Sequence, residues 1–393
     1  MADRLRVQVE GWRRLAHSYA LVNQYQCLAM MDRPNIDLRH VDRPLFKPWW
    51  RRVDGLLKRD AEKRLEQLRA PEPGWHPDVV LRIDFPHRLA PVEGSAVCSF
   101  ITAEFRHVRR EDIAGGEGLG KTQQITGTQL ITPSEWSREG LLASGADPAR
   151  VAVVPHGVDI SVFRPLTFSE RGAARRKLGL RGFLFLHLSA LSGSKNVWGL
   201  LKALAAVSLK HPDVRLMIKG LDELYGSDVN LRGLMNHLTP EEQRLAGPRL
   251  MYVGRELPVE EIARLYQAAD AYVAPYRGEG FNLPVLEAVA SGLPVIVTRG
   301  GPTDAFTNDT VARYVATERE PFQAEDGQEG VALAVSVESL TEQMLAAIAD
   351  KEAGARVREA GPALVREGFL WDQVTDKLVE VMRSAAEGRS RGL

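Results

Sequence analysis

Two carboxylates with seven residues between them, Glu279 and Glu287, stand in the segment of this chain best suited to chemistry. It reads Pro275-Tyr-Arg-Gly-Glu279-Gly-Phe-Asn-Leu-Pro284-Val-Leu-Glu287-Ala-Val-Ala-Ser-Gly292. An apolar run at 271–274 feeds a glycine-bearing loop, and the loop opens a helix expected over 284–291. Pro284 suits a first helical turn, where its missing N–H is not needed. The free N–H groups of such a turn attract anions. Glu287, one turn in, can accept two hydrogen bonds from a vicinal diol such as a ribose. Glu279 lies in the loop ahead of the helix, near where a reacting group would sit. Lys195 has a comparable setting in Leu188-Ser-Ala-Leu-Ser-Gly-Ser-Lys195-Asn-Val, between an apolar run and a helical pattern. Gly193 and Ser194 let the backbone approach an anion there, and Lys195 supplies it with a point charge.

The elements that must position these groups alternate. Short apolar runs at 5–9, 77–83, 96–105, 128–133 and 151–155 alternate with helical patterns, among them 18–31 and 135–144, the second capped by Ser134. An irregular stretch follows, and the rhythm restarts with strands at 183–188, 214–219, 249–253, 271–274 and 294–298. This is the pattern of α/β layers around parallel sheets. A boundary near 157–170 divides the chain into two Rossmann-like domains, expected to face each other across a cleft. Ligands of such sheets bind beyond the carboxyl ends of the strands. A last amphipathic helix over 371–385 carries Val374, Leu378, Val381 and Met382 on one face, and the tail 387–393 is expected to fray.

Composition narrows the function classes. The 393 residues are 44% hydrophobic and 26% charged, ordinary for a globular protein. Lys plus Arg and Asp plus Glu both number 51, which argues against a dedicated nucleic-acid binder. Two cysteines, Cys27 and Cys98, have neither disulfide-framework nor zinc spacing. The opening residues lack the pattern of a secretory leader, and no apolar run approaches the roughly 18 residues of a spanning helix. A cytoplasmic location is the expectation.

The acidic segment closely resembles the core of retaining glycosyltransferases with the GT-B fold, family-4 (glycosyl transferases group 1) type. Val153-Val-Pro-His156-Gly-Val-Asp159, followed by Phe163-Arg-Pro165, resembles their interdomain hinge, where Asn is usual at position 156. Tyr252-Val-Gly254 and Tyr266-Gln-Ala-Ala-Asp270 resemble the strand and helix ahead of the signature. The resemblance implies an acceptor-binding domain over 1–160 and a nucleotide-sugar-binding domain over 161–368. Residues 369–393 would then be a helix packing back toward the N-terminal domain, and a tail. It further implies that Glu287 binds the ribose of a nucleotide-diphosphate sugar. Glu279, with Gly280 and the amides of Phe281, Asn282 and Leu283, would hold the donor sugar, and Lys195 would neutralise the diphosphate. Where the family usually has an arginine, this chain has Ala190, so Arg255 or Arg277 is the candidate to compensate. The implied reaction is transfer with retention of anomeric configuration, without metal or other cofactor; the leaving phosphate helps deprotonate the acceptor.

Acceptor recognition is expected in the N-terminal half. His17, Ser18 and Tyr19 follow the first strand, the stretch 83–88 with His87 ends the second run, and the stretch 102–107 with Glu104 and His107 ends the third. Of these, Glu104 best matches the position where relatives place a residue near the reacting sugar. The acceptor would be a glycan, a lipid-linked molecule or a small molecule. The stretch 47–64, basic and carrying Trp49 and Trp50, offers a means of resting on an anionic membrane. Two other readings compete. Gly115-Gly-Glu-Gly-Leu-Gly120-Lys121-Thr122 matches the P-loop pattern of an NTPase or kinase, although charged residues rather than an apolar strand precede it. The scaffold could also serve as a non-catalytic nucleotide-sugar-binding protein.

Overall fold

In the computed structural model, which describes residues 4–323, 327 and 329–390, the first sheet is built from β1 (Leu5–Gly11), β2 (Ile36–Asp42), β3 (Val79–Ile83), β4 (Ala96–Phe100), β5 (Gln129–Thr132) and β6 (Val151–Val153). All pairings are parallel, in the order β2-β1-β3-β4-β5-β6. Every residue of β3 and β4 is buried, as expected of strands covered on both faces. The second sheet joins β7 (Leu184–Leu188), β8 (Arg215–Lys219), β9 (Leu250–Val253), β10 (Ala271–Ala274), β11 (Val295–Thr298) and β12 (Ala312–Val315). Its order is β12-β11-β10-β7-β8-β9, again parallel. A separate hairpin, β13 (Thr317–Gln323) with β14 (Glu329–Val335), has no counterpart in the sequence periodicity.

The described residues within 1–157, 322–330 and 369–393 form one compact unit; 158–321 and 331–368 form the other. Both sheets are wound outward in two directions from their first strand. The order reverses between β1 and β3 in the first unit and between β7 and β10 in the second. These reversals matter because the loops leaving the two central strands diverge there and open a crevice at the carboxyl ends.

Six helices complete the setting of the sites. α1 (Ser18–Met31) and α2 (Leu119–Thr126) belong to the first unit. α3 (Val197–Lys210), α4 (Val259–Ala268) and α5 (Leu283–Ala290) belong to the second, and α6 (Trp371–Ser390) closes the first. α3 is apolar on most faces because it packs on its sheet and between other helices, with Leu200, Leu201 and Leu204 fully buried. α6 lies on α1 and β4. Trp371 stacks on Tyr25 at 4.9 Å, and Gly157 is needed beneath it because a Cβ there would stand 2.7 Å from the Trp371 Cα.

Two sequence expectations change. The run at 96–105 stays a strand only to Phe100, since the chain then turns, with Arg106 at φ 55°. The tail expected to fray from 387 instead continues α6 to Ser390, where the Arg389 guanidinium donates to the carbonyls of Val92, at 3.0 Å, and Ser95. Residues 391–393 lie outside the described residues.

Candidate functional site

At the reversal of the second sheet, the loop after β7 and the loop after β10 are tied together. The Arg277 N–H donates to the Ser194 carbonyl at 2.7 Å. Lys195 closes a 3-10 turn, Gly193–Lys195, and Asn196 then takes a left-handed φ of 53° to start α3. Gly199 makes room for this, because a Cβ there would press within 2.8 Å of the Asn196 side chain. The Lys195 Nζ meets the Glu279 Oε1 at 2.9 Å, with both side chains only 13% and 12% exposed. The two charged residues singled out from sequence therefore form one ion pair, although 84 positions separate them (279 minus 195).

The residues on the C-terminal side of Glu279 fix its place. Phe281 is buried against Phe306 with ring centroids 4.8 Å apart, and Asn282 adopts φ 76° as the N-cap of α5. The amides of Asn282 and Leu283 have no hydrogen-bond partner among the described residues. Two N–H dipoles thus remain unused at the start of a helix, beside an ion pair. Pro284 falls in the first turn of α5, as its chemistry favours.

Glu287 lies on α5, partly buried, and its Oε2 accepts a hydrogen bond from the Tyr266 hydroxyl at 2.8 Å. Desolvation pushes its pKa up to about 7, against the opposing pull of that hydrogen bond. Tyr266, known from sequence only as part of a strand-and-helix motif, is fully buried and belongs to this site. No sequence periodicity distinguishes it from an ordinary core tyrosine of α4.

Of the arginines offered to replace the residue missing at Ala190, neither guanidinium is engaged at the reversal. Arg255 follows the edge strand β9, is largely exposed, and pairs with Glu261 at 3.2 Å. Arg277 contributes its backbone to the loop tie, but its guanidinium pairs with Glu320 at 2.6 Å. Sequence reading overlooked Lys219 at the end of β8, beside β7. It is buried, donates to the Gly220 carbonyl, and has its pKa lowered to about 8 by desolvation, against the pull of Glu256 and Asp222.

The first unit fills its reversal differently. Glu10 meets Arg88 at 2.7 Å and Arg82 at 3.2 Å, while Asp84 meets Arg88 at 3.0 Å and Arg43 at 3.3 Å. Burial works against the Glu10 carboxylate, yet Arg88 and Arg82 hold its pKa below the ordinary value; at Asp84 burial prevails and raises it. Beside this network, His17 caps α1 by accepting the Tyr19 N–H at 3.1 Å on Nδ1. The Tyr19 hydroxyl meets Thr102 Oγ1 at 2.8 Å, and the Tyr19 ring lies 6.1 Å from His87. Burial depresses the His17 and His87 pKa values to about 4, so both rings are neutral at pH 7. Ser18 is exposed at the first position of α1. Glu104 presents an exposed side chain, and its carbonyl accepts from Trp136 Nε1 at 2.9 Å.

In the stretch 47–64, Trp50 packs edge-on against Trp12 at 5.4 Å, while Trp49 is 58% exposed with Lys47 over its ring. No helix among the described residues is long and apolar enough to cross a membrane. The glycine-rich segment 115–122 follows a 3-10 turn, Arg110–Asp112, rather than a strand, and Lys121 pairs with Glu117 at 2.5 Å. Among the described residues no three His, Cys, Asp or Glu side chains gather as a metal site.

Comparison with known proteins bears on the family and the fold. The model of the family described as glycosyl transferases group 1 matches residues 170–363. A D-inositol 3-phosphate glycosyltransferase of Segniliparus rotundus is 30% identical over 278 residues, 69% of this chain and 55% of that protein. One of Catenulispora acidiphila is 27% identical over 72% of this chain and 65% of its own length. The chain thus spans less than two thirds of these relatives. Among solved structures, Anabaena HepE in complex with UDP and glucose superposes with a TM-score of 0.67 at 15% identity, covering 97% of this chain and all of that one. A glycosyltransferase from Rickettsia africae gives 0.68 at 13% identity, covering 98% of this chain and 99% of that one. The fold is GT-B, two Rossmann-like units in one chain.

Proposed function

The chain belongs to the glycosyl transferases group 1 family, and from that premise we propose that it moves a sugar from a nucleotide-diphosphate sugar to an acceptor hydroxyl with retention of configuration. The observation that carries this reading is the Lys195–Glu279 pair beside the unpartnered amides of Asn282 and Leu283, at the strand-order reversal of the second unit.

In the reaction, the bond from the anomeric carbon to the diphosphate oxygen breaks and a bond to the acceptor oxygen forms on the same face. The acceptor proton passes to the departing phosphate oxygen. Negative charge grows on the diphosphate as it leaves. Lys195 and the helix amides meet that charge without a metal, in a partly dry setting where such groups act strongly. Arrival of the diphosphate gives Lys195 a new anionic partner and releases the Glu279 carboxylate toward the sugar hydroxyls. Glu287 accepts hydrogen bonds from the ribose diol. Acceptor recognition falls to the first unit, through His17, Ser18, Tyr19 and His87, with Glu104 on the following loop. The relatives named for inositol 3-phosphate make a hydroxylated ring compound one member of the acceptor class to try.

The P-loop reading is not favoured: Lys121 is exposed and paired with Glu117, and a strand is missing ahead of its loop. Calorimetric titration with UDP, GDP, ADP and ATP, first in EDTA and then with magnesium, tests the reading. Binding of one diphosphate in EDTA is expected, as is turnover of its sugar conjugate. Lys195→Ala should lower kcat by about 10²–10³, the usual effect of removing one such stabilising group. Magnesium-dependent ATP binding lost in Lys121→Ala would overturn the proposal. Binding without turnover of any sugar conjugate would instead favour a non-catalytic binder.

A further inference from the structure

Tyr266 is 0% exposed, in the interior of α4, yet its polar end is not spent on the backbone. Its ring is fixed by Phe163, edge-on at 5.8 Å, and by Tyr272 at 5.6 Å. Its hydroxyl reaches across to α5 and donates to Glu287 Oε2 at 2.8 Å. No other side chain or backbone group among the described residues hydrogen-bonds the Glu287 carboxyl. We propose that Tyr266 is a positioning residue that holds one oxygen of Glu287 so that the other is presented to the ribose diol of the donor. This rests on the donor reading of the same site.

The physical argument is one of orientation and charge. A glutamate side chain has three rotatable bonds, and a carboxylate that must accept two hydrogen bonds from adjacent hydroxyls needs a defined plane. A rigid phenol anchored by two aromatic neighbours supplies that plane. The hydroxyl is also the favourable interaction that burial leaves to the ionised form: desolvation raises the Glu287 pKa to about 7, and the Tyr266 hydrogen bond opposes the rise. The other titratable group facing it is Tyr272 from β10; the opposing stretch of β11, Val295–Thr298, carries none. The helix Ala353–Arg366 meets α5 near its far end, where Arg358 lies against Gly292. The ionised carboxylate can accept from both ribose hydroxyls, whereas the protonated acid must itself place a proton. Donor binding should therefore weaken as pH falls through 7.

The test is calorimetric titration of the full chain with UDP, GDP and ADP between pH 5.5 and 8.5. The proteins are wild type, Tyr266→Phe, Glu287→Gln and the double variant. The nucleotide's own phosphate protonates near pH 6 in every case, so differences between variants are what count. Wild type should lose up to about tenfold in affinity per pH unit below 7 relative to Glu287→Gln, whose amide does not titrate. Loss of a hydrogen bond to a charged group should move this limb upward by about one pH unit in Tyr266→Phe. That means roughly fivefold weaker binding at pH 7, with recovery toward pH 8.5. In the Glu287→Gln background, the same substitution should change affinity less than about twofold. Uniform weakening at every pH and in both backgrounds would mean that Tyr266 only packs, and would overturn the proposal; so would an unchanged pH profile. Failure of wild type to bind any of the three nucleotides would remove the donor reading itself, and this proposal with it.

Discussion

Where the first sheet reverses, Glu10, Arg82, Asp84, Arg88 and Arg43 interlock; where the second reverses, Lys195 faces Glu279 next to two idle amides. The strand arrangement is the same in both units, and both crevices carry opposite charges. In the first unit each carboxylate is shared by two guanidiniums, and Arg82 also donates to the carbonyls of Arg88 and Ala90. An incoming anion would have to break several charge-assisted bonds in a buried place. In the second unit, on the proposed reading, an anion would compete with Glu279 for Lys195 and would meet the amides of Asn282 and Leu283. The same strand topology thus carries two different charge arrangements: a ladder of shared carboxylates and guanidiniums in the first unit, and one lysine–glutamate pair next to a helix start in the second.

Removing the hub of the first network should break this contrast most severely. Glu10→Ala leaves Arg82, only 5% exposed, without its carboxylate partner. The expected loss is about 3–5 kcal/mol in urea unfolding, the usual consequence of stripping one member from a buried pair. Nucleotide affinity of the folded protein should stay within about twofold of wild type. A stable Glu10→Ala variant that no longer binds the donor would show that the first crevice takes part in donor binding as well.

Glu287 provides the sharper test in the opposite direction. Its folded pKa of about 7 lies above the ordinary glutamate value of 4.5, so the folded state holds the proton more tightly. Stability therefore falls as pH rises from about 4.5 to 7 and stays low above that range. Glu287→Gln, which cannot ionise, should be more stable than wild type by about 1–3 kcal/mol at pH 8. The gain should shrink toward pH 4.5, measured by thermal or urea unfolding across that range, while donor binding is weakened. A Glu287→Gln variant less stable than wild type at pH 8 would mean that the carboxylate is a structural group like Glu10.

The smallest effect belongs to the glycine-rich loop. Lys121→Ala should leave sugar transfer and nucleotide affinity unchanged within about twofold, because an exposed ion pair contributes little. A larger loss in a transfer assay would bring that loop into the function.

Much of the second unit was legible because its motifs are local. The helix over 259–268 and the strand over 271–274 keep the boundaries that periodicity implied, and Glu279, Pro284 and Glu287 sit on loop, first turn and helix as their spacing required. Three strands went unnoticed: β2 in the first unit, and β13 and β14, which lie mostly in the second; β13 reads Thr-Glu-Arg-Glu-Pro-Phe-Gln, mostly polar, and offers no apolar run. Of the two arginines offered in place of the residue missing at Ala190, Arg255 follows β9, which succeeds β8 in sequence but lies at the sheet edge, two strands from β7.

Sequence alone determined the residue types and the local geometry: a glycine-bearing loop, a proline in the first helical turn, two carboxylates one loop and one turn apart, and a lysine after an apolar strand. These follow from dihedral preference and periodicity, which act over a few residues. Only the tertiary structure decided that Lys195 and Glu279 are partners, that Tyr266 rather than another tyrosine grips Glu287, and that Arg82, Arg88 and Arg43 are spent on Glu10 and Asp84. Such pairings depend on which strands become neighbours and on how far burial strips water from a charge, and both are properties of the packed sheet.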